Sequence, residues 1–279
     1  AGDAGRNSAH GLRSDAVMRQ FLVPLLLTAV WPLAALAQTA TPGAVVKTDE
    51  VRAELIAHAP EGVSAGKPVW LGLAIDHAPH WHTYWKNPGD SGLPTTLTWQ
   101  LPAGTSAGEI AWPTPKRLPV GPLVNYGYED KLLLPVPLTV ASDFTGESLN
   151  VKLSAQWLVC KDVCIPQQGE FVLRLPVHAT TAAHAALFNA AWAAQPKDVM
   201  QAKVSAELTD GAKALRVAIG GLPAALQGKE LAFFAEAAGV IDHAAKAPGS
   251  WDGTTWRAEV PISAQRFESP SKMHAVLTT

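Results

Sequence analysis

Between Val151 and Trp157 the chain reads Val-Lys-Leu-Ser-Ala-Gln-Trp, apolar and polar residues in strict alternation. A two-residue period of this kind predicts a β-strand with one face in a core and the other in water. Short apolar or alternating runs recur from Val45 to Val177. They predict strands at Val51–His58, Val69–Ile75, Thr95–Gln100, Glu109–Trp112, Leu132–Val140, Leu149–Gln156 and Glu170–Pro176. Turn-forming stretches separate them: EGVSAGKP, NPGDSGLP, LPAGTSAG and SDFTGES. Short strands at this spacing, with no alternation of strand and helix, predict an all-β antiparallel sandwich over residues 45–178.

The pattern changes from Thr180 to Ala194. This stretch is rich in alanine, places Leu187, Phe188 and Trp192 at helical spacing, and stops before Pro196. It predicts a short helix in a linker spanning 179–197, its apolar stripe serving packing. Strand patterns resume at Gln201 and run to the last residues, so 198–279 is expected to form a second, smaller β-sandwich domain that ends on a strand-like run, as in a fragment of a longer protein. Asp252-Gly253, between Trp251 and Trp256, predicts a hairpin turn there.

The N-terminal pattern is of another kind. Met18-Arg19-Gln20 precedes an apolar run from Phe21 to Leu36, closed by Ala35-Leu36-Ala37. This is the three-part form of a secretory signal, with cleavage expected before Gln38 and a natural start at Met18. The run is short for a membrane span and contains Pro24 and Pro32. Export would deliver the mature chain to an oxidising compartment, where a cysteine pair can bridge. Composition adds an exclusion: charged residues make up 16% and the formal net charge is -2. That offers no basic stripe for nucleic acid.

The 279 residues contain two cysteines, Cys160 and Cys164, in the stretch QWLVCKDVCIP. A disulfide needs Cα atoms about 4.4–6.8 Å apart, whereas residues four apart on one strand are about 13 Å apart. The flanks on both sides read as strands, and Pro166 argues against a helix. The pair is therefore expected to face itself across a hairpin end, with Lys161-Asp162-Val163 as the loop. Closing a loop of about five residues contributes only about 2 kcal/mol, against about 4.7 for a 100-residue loop. A short bridge at a sheet end is a weak staple and well placed for thiol exchange. On the residues alone three readings stay open: a structural disulfide, a redox pair and a metal site. Three consequent functions stand beside one another: a thiol:disulfide oxidoreductase, a non-catalytic binding module, and a copper or zinc binder. For metal, two cysteines lack two further ligands, and the candidates are His77, His80 and His82 in HAPHWH. Trp81, Tyr84 and Trp85 beside them favour an aromatic strand end instead.

HWHTYWKNPGDSGLPT (His80 to Thr95), NYGYEDKLLLPV (Asn125 to Val136) and WLVCKDVCIP (Trp157 to Pro166) occur in that order. Together they resemble the N-terminal periplasmic region of DsbD-type thiol:disulfide interchange proteins, most of all the ScsB-like branch linked to copper tolerance. The resemblance is close from Val45 to Val177 and looser over the second β region, which that branch also carries. It implies an immunoglobulin-like fold and a protein-disulfide reductase function. It implies Cys160 and Cys164 as the exchanging pair, with Cys164 forming the mixed disulfide. It implies electrons arriving from a thioredoxin-like domain, supplied in turn by a membrane-embedded domain, and leaving to a periplasmic disulfide isomerase or related thiol protein. No cofactor is implied, because electrons travel as thiols, and the full-length protein is expected to be anchored in the inner membrane. The family shields its pair with an aromatic loop, which falls on Asn125-Tyr126-Gly127-Tyr128. Asn125 stands where relatives carry phenylalanine, so Tyr126 or Tyr128 is expected to form the cap. The cysteine spacing is shorter than in the best-known members.

Overall fold

The computed structural model describes residues 43–266 and 269–279. The expected signal segment and its cleavage site lie outside the described residues. These residues belong to one compact unit.

The N-terminal sandwich is built from β1 (Val45–Lys47), β2 (Val51–His58), β3 (Val69–His77), β4 (His82–Gly89), β5 (Thr96–Gln100) and β6 (Thr105–Ala107). It continues with β7 (Lys116–Val120), β8 (Leu123–Glu129), β9 (Lys131–Val140), β10 (Ser148–Cys160) and β11 (Cys164–Pro176). One sheet runs β1-β2-β3-β9-β6; the other runs β11-β10-β4-β8-β7, with β5 also paired to β10. All named pairings are antiparallel. The alternation read at Val151–Trp157 decides which side of β10 is inside. Val151, Leu153, Ala155, Trp157 and Val159 point into the space between the sheets, while Lys152 and Gln156 face outward.

Two sequence expectations need correction. Glu109–Trp112 is not a strand; β6 lies just before it, inside the stretch read as a turn. Residues 109–112 follow the sheet edge, tied by the amides of Gly108 and Ala111 to the carbonyls of Pro137 and Pro135. The stretch His82–Gly89 is a strand, although its Asn-Pro-Gly end reads as a turn. A bulge between Tyr84 and Gly89 in the pairing with β8 lets the strand carry Pro88.

Helix α1 (Ala185–Ala193) packs on the outer face of the first sheet, where Phe188 and Ala191 join Ile56 and Leu133. Beyond it come β12 (Lys203–Leu208), β13 (Ala214–Gly220), β14 (Ala232–Ala235), β15 (Ser250–Asp252), β16 (Thr255–Pro261) and β17 (Ala275–Thr278). They form a four-stranded sheet β12-β13-β16-β15 and a two-stranded sheet β14-β17. Val217, Leu231, Phe233, Trp256 and Val260 make their shared core. The expected hairpin is present: Trp251 pairs with Trp256 and Asp252 with Thr255, and Gly253 turns the chain at φ +59°. Phe234 and Val276 leave this core and pack into that of the N-terminal sandwich, so the two β regions share side chains.

Candidate functional site

Strands β10 and β11 pair without interruption from Ser148↔Pro176 to Cys160↔Cys164. The two cysteines are therefore the last opposed pair of the hairpin, as the spacing argument expected, and Lys161, Asp162 and Val163 form the exposed loop. They are bonded, with S–S 2.09 Å and Cα–Cα 4.1 Å. That Cα separation is close to the roughly 4.5 Å of a directly opposed, non-hydrogen-bonded antiparallel pair.

The two sulfurs have different surroundings. Cys160 is 2% exposed and pairs on its other side with His82 of β4. Cys164 opens the outer strand and is exposed. Any incoming thiol or disulfide meets Cys164 first.

Side chains alternate across β4, so His82 and Tyr84 share the disulfide's face, and Thr83 and Trp85 face the core. The Tyr84 hydroxyl lies 3.7 Å from Cys164 Sγ. Its ring is buried, and burial pushes its pKa up to about 12. The group stays protonated and can donate to a sulfur that carries charge. The His82 ring meets Tyr84 edge-on, with centroids 5.2 Å apart. His82 is buried, and its Nε2 has no hydrogen-bond partner among the described residues. Desolvation lowers its pKa, against a raising influence from Glu129. Gly92 roofs Tyr84: a Cβ at that position would overlap the tyrosine ring, and φ +107° disfavours any other residue.

The expected cap residues fall elsewhere. Opposite Tyr84, strand β8 carries Gly127, so Tyr126 and Tyr128 lie on the core face, away from the sulfurs. Tyr128 donates from Oη to the Pro113 carbonyl at 2.7 Å. The Tyr126 ring packs edge-on against Phe234 and His243, with centroids 4.7 and 4.9 Å away. Asn125 is nearer to the expected role. Its Oδ1 accepts from Ser91 Oγ at 2.9 Å and so holds the residue before Gly92. The aromatic group beside the disulfide is Tyr84, which the sequence reading treated only as part of an aromatic strand end. The period-two register of His82-Thr83-Tyr84-Trp85 groups His82 with Tyr84, and the pairing of His82 with Cys160 is what brings that face to the disulfide.

The histidine cluster does not converge. His77 is bonded through Nδ1 to the Asp130 carbonyl and through Nε2 to Thr83 Oγ1, at 2.8 and 3.0 Å. His80 is exposed at φ +71°, and His82 is turned toward Tyr84. Among the described residues no group of three or more His, Cys, Asp or Glu could hold a metal ion.

Comparison with known proteins joins this geometry to the resemblance carried by the three motifs. Residues 52–176 match the family described as thiol:disulfide interchange protein DsbD, N-terminal. The crystal structure of the N-terminal periplasmic domain of ScsB from Proteus mirabilis is similar in fold. Its TM-score is 0.59 at 18% identity, covering 84% of this chain and 92% of that one. No curated protein sequence matches the chain. The segment that carries the disulfide is thus similar to a DsbD-type N-terminal domain, and the all-β, immunoglobulin-like reading holds for it.

Proposed function

We propose that this chain is a periplasmic protein-disulfide reductase domain in which Cys160 and Cys164 pass electrons by dithiol–disulfide exchange. The observation that carries the reading is the asymmetry of the pair: one exposed cysteine, one buried, opposed at a hairpin end beside the Tyr84 hydroxyl. In the reduced state the Cys164 thiolate attacks one sulfur of a partner's disulfide, and the partner's other sulfur leaves as a thiolate. The Cys160 thiol then loses its proton to solvent and attacks Cys164, releasing the partner's second thiolate and restoring the Cys160–Cys164 bond. Two electrons pass to the partner. The periplasmic origin of the similar ScsB domain supports a periplasmic setting. In that setting a thioredoxin-like domain, fed by a membrane-embedded domain of the same system, recharges the pair, and a disulfide isomerase or related thiol protein receives the electrons. Burial of Cys160 keeps the resolving sulfur away from competing thiols.

Trapping tests this directly. Cys160→Ser leaves the exposed thiol and is expected to accumulate a mixed disulfide with an oxidised periplasmic thiol protein; Cys164→Ser is expected to give little. If neither variant forms an adduct, and the wild-type bridge resists mild dithiothreitol, the pair is a structural disulfide.

A further inference from the structure

The turn that roofs Tyr84 is held from the second β region. Asp90 opens this turn and uses both carboxylate oxygens. Oδ2 accepts the Val124 amide at 2.7 Å, and Oδ1 accepts Nδ1 of His243 at 3.2 Å. Ser91 is fixed by Asn125, and Gly92 then lies on the Tyr84 ring. His243 is 153 positions away in sequence and 3% exposed. Its own placement is over-determined. Asn87 Nδ2 faces its Nε2 at 3.4 Å and also donates to the Ala235 carbonyl at 2.7 Å. Arg117 Nη2 donates to the His243 carbonyl at 2.8 Å, and Tyr126 packs edge-on against the ring. A neutral imidazole with its proton on Nδ1 satisfies every partner, donating to Asp90 and accepting from Asn87.

We propose that His243 and Asp90 are positioning residues for thiol exchange, through which the second β region fixes the Asp90–Gly92 turn and so holds the Tyr84 hydroxyl beside Cys164. The second region thereby acts on the acidity of the exposed thiol without touching it. This rests on the exchange reading of Cys164. The charged groups facing His243 are Asp90, Asp242 and Arg117. The titratable groups about the sulfur are Lys161 and Asp162 in the loop, His82 and Tyr84 on β4, and Glu129 opposite His82. Apart from Tyr84, none of those near the sulfur is changed in the test.

The test uses the whole chain carrying Cys160→Ser, so that Cys164 is the single thiol. The rate of its alkylation by iodoacetamide is followed against pH. His243→Ala is expected to move the profile to higher pH and lower the rate near neutrality about three- to tenfold, the loss of roughly one hydrogen bond to the thiolate. Tyr84→Phe is expected to do the same, and adding His243→Ala to Tyr84→Phe is expected to add nothing, because both act through one hydroxyl. His243→Asn, which keeps a donor near the Nδ1 position, is expected to restore most of the wild-type profile. Val217→Ala, a cavity in the second core, is expected to lower stability and leave the profile in place. An unmoved profile in His243→Ala, additive effects in the double variant, or an equal displacement in Val217→Ala would each overturn the proposal. Failure of Cys160→Ser to form a mixed disulfide is a separate outcome. It removes the exchange reading, and with it the function of the clamp, whatever the alkylation profiles show.

Discussion

Two hairpin ends in this molecule close in different ways. Strands β15 and β16 pair over three positions and turn at Gly253; the pair next to the turn's closing residues is Trp251 and Trp256. No covalent link is present. Trp256 is fully buried, lies parallel to Phe233 with centroids 6.5 Å apart, and Trp251 Nε1 donates to the Lys229 carbonyl at 2.8 Å. Strands β10 and β11 pair over thirteen residues each, the longest hairpin among the described residues, with Trp157 and Val159 in the main core. Only this end carries the disulfide. The short hairpin closes without a cross-link, through packing, turn geometry, the Trp251 hydrogen bond and an exposed Arg257–Asp252 ion pair between its strands. The cross-link sits at the exposed end of a strand pair that thirteen opposed positions already hold in register.

That contrast yields two stability predictions of unequal size. Trp256→Ala removes the largest side chain of the second core and is expected to cost about 3–5 kcal/mol. Denaturant unfolding followed by tryptophan fluorescence measures it; a loss below about 1 kcal/mol would mean the short hairpin is not held by packing. Replacing Cys160 and Cys164 together by serine is expected to cost about 2 kcal/mol or less and to leave the far-ultraviolet dichroism of the sheets unchanged. A double variant that does not fold would make the bridge a staple and reverse the comparison.

The cysteine hairpin was legible in the sequence because its constraints are local. Four-residue spacing, strand patterns on both flanks and Pro166 leave one arrangement that bridges. The Trp251–Trp256 hairpin was legible through Asp252-Gly253 for the same reason. The surroundings of the disulfide were not, because they depend on register between strands far apart in the chain. Reading Asn125-Tyr126-Gly127-Tyr128 as the cover put two tyrosines on the wrong face. The pairing of Tyr84 with Gly127 turns both toward the core, and no pattern within one strand reveals that. His243 is further out of reach, since nothing in a chain segment 153 residues from Asp90 marks it as a neighbour. The error at Glu109–Trp112 has the opposite origin: a short apolar run that packs along an edge has the same pattern as a strand.

A third prediction compares the chemistry of the two ends. Tyr84→Phe deletes one hydroxyl at the disulfide end and is expected to lower the rate of mixed-disulfide formation near neutral pH about fivefold, with less than about 1 kcal/mol lost in stability. Trp256→Phe, at the other end, is expected to leave that rate unchanged. Stopped-flow exchange with an oxidised peptide disulfide measures both. Equal effects from the two variants would mean that the rate reports general loosening of the fold, not the hydroxyl beside Cys164.

The smallest expected effect is a pH dependence that weighs more on one end than on the other. Burial lowers the pKa values of His77 and His82, and also that of His243. For His77 the raising influence of the Asp130 carbonyl is outweighed, as is that of Asp90 for His243. The unfolded chain therefore binds more protons than the folded one at mildly acidic pH, and stability rises with pH across that window. Their contribution is complete above the unfolded histidine value of about 6.5 and is lost as pH falls through the lowered folded values. His82 begins β4 opposite Cys160, and His77 ends β3 and bonds Thr83 next to it, whereas the β15–β16 end has one buried histidine near it, His243, whose neighbour Asp242 bonds the Pro261 carbonyl of β16. Acidification from about pH 7.5 to about pH 5 is thus expected to reduce amide protection at the Cys160–Cys164 end more than at β15–β16, after correction for intrinsic exchange. His82→Gln is expected to flatten part of that difference. Equal loss at both ends would mean that the buried histidines do not set the acid sensitivity of the disulfide end.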